Sequence, residues 1–201
     1  MKKSIKVLVM IFILIFICSC GKSSVYEVSL SGNSNSYYNW VYEIEDDNIL
    51  KIEDEKYYGD ESEDEIKGLG GNYIFKIKSL KAGKTKVSFF YKKTWEDKDT
   101  LYKYIVEFEV DNHLKIDKLS ESGNYLSLMK FFDFDKEKIG FEGDFTDYKL
   151  VFDKEIITIK DDECHLLNIY DYNNSLISVY GISIKTNNIY KMINGKLELI
   201  K

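Results

Sequence analysis

Cys164 and His165 are the one adjacent thiol–imidazole pair in the chain, the two groups that nucleophilic catalysis would need. They sit in an alternating apolar run. In a strand, neighbouring side chains leave opposite faces, so the two cannot share the hydrogen bond a catalytic dyad requires. His113 is the other histidine, and with it neither a zinc-type spacing nor a Ser-His-Asp set can be assembled. The acidic run Asp60-Glu61-Ser62-Glu63-Asp64-Glu65 lacks the ligand spacing and bend glycine of a calcium loop. Three other segments read as binding groups. Gly68-Leu69-Gly70-Gly71 lets a backbone approach a partner closely. A phosphate cradle would need a helix and usually a lysine after the glycines, whereas residues 72–78 read as a strand. Asn33-Ser34-Asn35-Ser36-Tyr37-Tyr38 is turn-forming and runs into Asn39-Trp40. Lys93-Thr94-Trp95 sets a tryptophan in a charged turn, with Lys92 on one side and Glu96-Asp97 on the other. A rigid aromatic so placed is the kind of residue that anchors an interface.

The elements that must carry these segments are mostly strands. Val25 to Leu30, then Trp40, Tyr42 and Ile44, then Ile49 to Ile52 read as the first three. Tyr73, Phe75 and Ile77 alternate with Ile74, Lys76 and Lys78; Val87, Phe89 and Tyr91 repeat the pattern, as do Tyr102, Tyr104, Val106, Phe108 and Val110. Period-two apolarity rich in β-branched and aromatic residues predicts half-buried strands. Six or seven of them over 24–111, with turns between, predict an immunoglobulin-like β-sandwich. Trp40 lies inside such a strand and reads as core. Glu53 to Glu65 reads as a solvated charged loop, and Asn112 to Asn124 as a polar connector. Tyr125, Leu126, Leu128, Met129 and Phe132 mark a short helix with Ser122 as its N-cap. From Lys149 the alternation returns in separate runs at Leu150–Phe152, Ile156–Ile159, His165–Tyr170 and Leu176–Ile184. Hairpin signals follow at Thr186-Asn187-Asn188 and Asn194-Gly195. This second region reads as a small antiparallel β domain with a helix. The expected division is 1–19, 20–112 and 113–201.

The ends and the composition bound the rest. Lys2, Lys3 and Lys6 precede an unbroken apolar run of 11 residues, Val7 to Ile17. That suits a signal peptide and is short of the ~20 residues of a membrane span. Ile17-Cys18-Ser19-Cys20-Gly21 resembles a bacterial lipobox, which implies lipidation of Cys20. The expected location is then exported, lipid-anchored to the outer face of the bacterial membrane, with the lipid as the membrane contact. Only Cys164 would remain as a thiol, so no internal disulfide framework is available. Removing Lys2, Lys3 and Lys6 from 28 bases leaves 25 against 34 acids, a charge of −9 on the mature chain. This balance argues against nucleic-acid partners. Arginine and proline are both absent.

Taken together, the three binding segments resemble the chagasin-like inhibitors of papain-type cysteine peptidases, over residues 24–111. In that family three loops at one end of a sandwich fill the peptidase cleft, the middle one covering the catalytic cysteine. The family's middle loop reads Asn-Pro-Thr-Thr-Gly, an aromatic, one residue, then Trp. Asn33, Tyr38 and Trp40 match it in place. Ser34 replaces the proline, Asn35 and Ser36 the threonines, and Tyr37 the glycine. Such losses of rigidity or freedom cost about 0.4–1 kcal/mol each. Gly68, Leu69, Gly70 and Gly71 match the family's Gly-x-Gly-Gly, while Lys93, Thr94 and Trp95 stand where it has Arg-Pro-Trp. Lys93 keeps the charge and loses the planar fork of arginine. The resemblance implies a reversible, tight-binding, non-catalytic inhibitor needing neither cofactor nor metal. Its partner would be a papain-type peptidase of the same bacterium or of a host. The alternative is a surface-anchored Ig-like binding or adhesion lipoprotein with no peptidase target.

Overall fold

The computed structural model describes residues 23–32, 37–59, 70–93, 95, 100–134 and 147–200. The signal run and Cys20 lie outside the described residues. Seven strands form the first part: β1 Val25–Ser31, β2 Tyr38–Ile44, β3 Leu50–Gly59, β4 Gly71–Ser79, β5 Gly83–Lys93, β6 Thr100–Val110 and β7 Ile116–Ser122. They make two antiparallel sheets, ordered β1-β4-β3 and β2-β5-β6-β7. The inner faces meet as the alternation predicts. Phe75 of one sheet packs on Phe89 of the other at 4.9 Å between ring centroids, and Tyr26 on Phe108 at 5.1 Å. This is the expected immunoglobulin-like sandwich.

Two stretches expected to be irregular are strands. Glu53 to Gly59 continue β3 after a bulge at Ile52–Asp54, because β4 supplies hydrogen-bonding partners as far as Gly59↔Gly71. The charges stay wet on the outer face, where Lys78 pairs with Glu53. Residues 60–69 lie outside the described residues. Within the polar connector, Ile116–Ser122 forms β7 on the edge of the second sheet. Only Ile116 of its seven residues is buried, so the pattern carried no apolar period. The chain thus passes residue 112 without leaving the sandwich.

Helix α1, Asn124–Phe132, starts from Gly123, not from Ser122, which ends β7. Gly123 has φ 114°, and a Cβ there would stand 2.1 Å from the Lys103 carbonyl oxygen, so the turn from β7 into α1 requires glycine. The remaining strands are β8 Lys149–Ile159, β9 Asp162–Tyr170, β10 Leu176–Ser183, β11 Ile189–Ile193 and β12 Lys196–Leu199. They form one antiparallel meander ordered β12-β11-β10-β9-β8. The two runs read separately at Leu150–Phe152 and Ile156–Ile159 are a single strand, β8, broken in register by a bulge. Asn194 and Gly195, at φ 49° and 79°, make the last hairpin turn.

One core joins the sandwich, α1 and the meander. Tyr125 of α1 packs edge-on against Trp40 at 5.1 Å and against Tyr104 at 5.8 Å. Its hydroxyl accepts from the buried Ser31 backbone N–H at 2.8 Å. On the far face of α1, Phe131 meets Tyr180 at 5.0 Å. Lys130 Nζ donates to the carbonyls of Ser183, Ile184 and Thr186 at 3.0, 3.0 and 2.9 Å. That turn is organised by buried Asp162, which accepts from Ser183, Asn188, Thr186 and Tyr190. The Ser183 hydroxyl, opposed by desolvation and helped by Asn188, Thr186 and Tyr190, holds the Asp162 carboxyl below the usual carboxylate range.

Candidate functional site

Strand register decides where the three segments emerge. Ser31, at the end of β1, pairs with Asn72 at the start of β4, and Gly59, ending β3, pairs with Gly71. Tyr38, opening β2, pairs with Lys93 at the end of β5, and Lys92 pairs with Thr100 at the start of β6. Tyr73 ties the two sheets together at this level, its hydroxyl donating to Asn39 Oδ1 at 3.0 Å. Burial raises the Tyr73 phenol to about 12, so it keeps this proton. The stems of the β1–β2, β3–β4 and β5–β6 connections therefore stand at one pole of the sandwich. The turns β2–β3, β4–β5 and β6–β7 stand at the other.

The base of this pole is stiff. Trp40 is 2 % exposed, and its Nε1 donates to the Ser31 carbonyl at 3.0 Å. Gly32 lies directly above it, where a Cβ would come within 3.0–3.1 Å of Tyr91, Trp40 and Tyr73. The Gly32 N–H donates to the Gly71 carbonyl at 2.8 Å, which locks the first stem to the second. Gly70 takes φ 90°, and its carbonyl accepts from the Tyr57 hydroxyl at 3.1 Å. A Cβ on Gly71 would lie 2.5 Å from both Tyr57 Oη and the Tyr58 carbonyl oxygen. Gly70 is thus required by its backbone conformation and Gly71 by close packing at the stem.

Two aromatics crown the pole. Tyr37 is 74 % exposed and Trp95 62 % exposed, yet their rings touch, with centroids 5.6 Å apart at 76°. This contact brings the first and third segments together. Edge-to-face pairs of this kind are worth about 0.5–1.5 kcal/mol beyond area burial. Beneath them, Tyr38 stacks on Tyr91 at 5.7 Å, and Lys93 Nζ stands 5.6 Å above the Tyr38 ring. Of the sequence-predicted contact residues, Tyr37, Tyr38, Gly70, Gly71, Lys93 and Trp95 are described at this pole. Asn33, Ser34, Asn35, Ser36, Gly68, Leu69 and Thr94 lie outside the described residues.

The catalytic candidates sit elsewhere. Cys164 is buried on one face of β9, and burial pushes its thiol up to about 11. His165 points the other way, where its Nδ1 lies 2.9 Å from the Ser127 hydroxyl. Desolvation, followed by the charge of Lys130, lowers the His165 pKa. The sequence reading missed this Ser–His contact, which joins residues 38 positions apart. Ser127 lies on the face of α1 that meets the meander and is 2 % exposed. Among the described residues no group of three or more His, Cys, Asp or Glu could hold a metal ion. None of their helices is long and apolar enough to cross a membrane.

Comparison with known proteins bears on the sandwich. Residues 21–110 match the family described as Chagasin family peptidase inhibitor I42. A crystal structure of the cysteine protease inhibitor EhICP2 from Entamoeba histolytica is similar at 19% identity, over 41% of this chain and 75% of that one, with a TM-score of 0.36. No curated protein matches.

Proposed function

Residues 21–110 are a chagasin-family peptidase-inhibitor domain, and from that premise we propose that the chain is a reversible inhibitor of papain-type cysteine peptidases. Its three polar segments would enter the enzyme's cleft together. The observation that carries this reading is the contact between exposed Tyr37 and exposed Trp95 over a pole where three pairs of strand ends converge. A stiff base is what such a mechanism needs. Segments already fixed at their stems lose little entropy on binding, and affinity is not spent on ordering them. Binding without covalent chemistry requires no nucleophile on the inhibitor, and the buried thiol of Cys164 supplies none. We further propose that Cys20 carries the lipid that holds the domain at the outer face of the membrane. Labelling with a radioactive fatty acid tests this: Cys20→Ala should abolish incorporation, and retained label would refute the anchor.

The inhibitor reading is tested by titrating papain and several relatives with the chain from residue 21 to its end. Competitive, fully reversible inhibition is expected. Trp95→Ala should weaken it by about 2 kcal/mol, roughly thirtyfold, while unfolding stability falls by no more than the about 0.5–1.5 kcal/mol of the lost Tyr37 contact, because the side chain is otherwise exposed. Absence of inhibition at micromolar protein across the panel would defeat the proposal. An unchanged inhibition constant in Trp95→Ala would remove Trp95 from the contact.

A further inference from the structure

The meander carries a feature that the three-segment reading does not use. Its edge strand β8 is held against the sandwich at the same pole. The Tyr102 hydroxyl donates to the Leu150 carbonyl at 3.1 Å, and its ring meets Phe152 edge-on at 6.2 Å. Tyr102 in turn stacks on Tyr91 at 5.7 Å and 8°, and Tyr91 on Tyr38 at 5.7 Å and 27°. An aromatic row thus runs from β8 across β6 and β5 to the first residue of β2. The row seats β8 rigidly next to the proposed inhibitory face.

Between β8 and the start of β6 lies a cleft of about 220 Å³. Tyr38, Leu101, Val151 and Phe152 line it, and Lys149 and Lys154 stand at its rim, both exposed. The volume admits one or two side chains. Asp153, between these lysines in sequence, accepts from Asn168 Nδ2 at 2.9 Å, and neither it nor Glu155 lines the cleft. Lys93 lies over the Tyr38 ring on the adjoining side. The charged side chains that line the cleft are thus two ammonium groups around an apolar floor.

We propose that this cleft is a fourth contact with the same peptidase, taking an acidic segment of the enzyme's surface next to its active-site cleft. The inference rests on the inhibitor reading. Two observations point to that occupant: Tyr38 lines both the cleft and the inhibitory pole, so one bound body spans them, and the charged residues lining the cleft are two lysines with no carboxylate among them. Its physical role is long-range attraction. Rim charges act mainly on association rate and on its salt dependence.

The test uses the whole chain and the papain-type enzyme that the wild type inhibits most tightly in the panel. Three variants are compared: Lys149→Glu/Lys154→Glu, Trp95→Ala, and Lys81→Glu/Lys196→Glu, which makes the same charge change away from the cleft. At low salt the cleft pair should associate about tenfold more slowly and lose most of its salt dependence. The remote pair should behave as wild type. If the cleft pair matches wild type while Trp95→Ala weakens inhibition, the fourth contact is overturned and the inhibitor reading stands. Equal slowing by both charge pairs would reduce the effect to net charge and overturn it too. If the wild type inhibits nothing in the panel, both readings fall together.

Discussion

Ending the chain at Asn112 should leave a sandwich that cannot hold itself together. The cut keeps every residue of the proposed inhibitory face. It removes β7 and so exposes β6 as a sheet edge along the register Ile105↔Ser122 to Val110↔Ile116. It also uncovers the side chains that α1 and β8 shield. Trp40 and Tyr104 lose Tyr125, and Tyr102 loses Phe152 and its carbonyl acceptor. Exposing three buried aromatics at about 1.5–3 kcal/mol each removes about 5–9 kcal/mol. Whole domains are stable by only about 5–15 kcal/mol. The loss is therefore on the scale of the total. Urea unfolding followed by tryptophan fluorescence suits the question, because Trp40 is 2 % exposed and reports its own burial. Residues 21–201 should unfold cooperatively. Residues 21–112 should show no cooperative transition, or one at far lower urea, and should aggregate through the bare β6 edge. Residues 21–134, which regain β7 and α1, should recover part of the difference. A 21–112 fragment that unfolds cooperatively within about 1 kcal/mol of the full chain would refute the argument, since it would mean that the shared core adds nothing to the sandwich.

Two further outcomes follow from single groups. Tyr125→Phe keeps the ring packed on Trp40 and Tyr104 but strands the buried Ser31 N–H, and should cost about 1–2 kcal/mol in urea unfolding; a cost within error of zero would mean that Ser31 finds another acceptor. Asp162 has its carboxyl held low in the folded chain, so its contribution to stability is full above the ordinary carboxylate range and is lost as pH falls below that range and through the lowered folded-state value. Asp162→Asn should be less stable than wild type at neutral pH, and the gap should close as the pH is lowered; a gap independent of pH would exclude the linkage.

The sandwich was legible because its strands bury alternate residues. Tyr73, Phe75 and Ile77, or Val87, Phe89 and Tyr91, announce a strand and its inner face by type and spacing alone. The same logic placed Trp40 inside and sent Cys164 and His165 to opposite faces of β9, while a charged turn-like setting marked Trp95 as exposed. Gly70 and Gly71 stood out in the sequence as a place where a partner could come close; that the chain itself needs them, through φ 90° at Gly70 and the crowding of Tyr57 and Tyr58 at Gly71, was not legible there. What stayed hidden was whatever rests on a partner distant in the chain. Strand β7 and the outer half of β3 exist because β6 and β4 offer them hydrogen bonds; their own side chains show no buried apolar alternation. No local pattern marks Tyr125 as the support of Ser31, 94 positions away, or Lys130 as the link to the turn after β10. Above all, a sequence is one-dimensional, and the meeting of Tyr37 with Trp95, and of Tyr38 with β8, is set by register and packing. Side-chain chemistry and spacing determined which residues are buried and which segments turn; the tertiary structure alone decided which of them stand side by side.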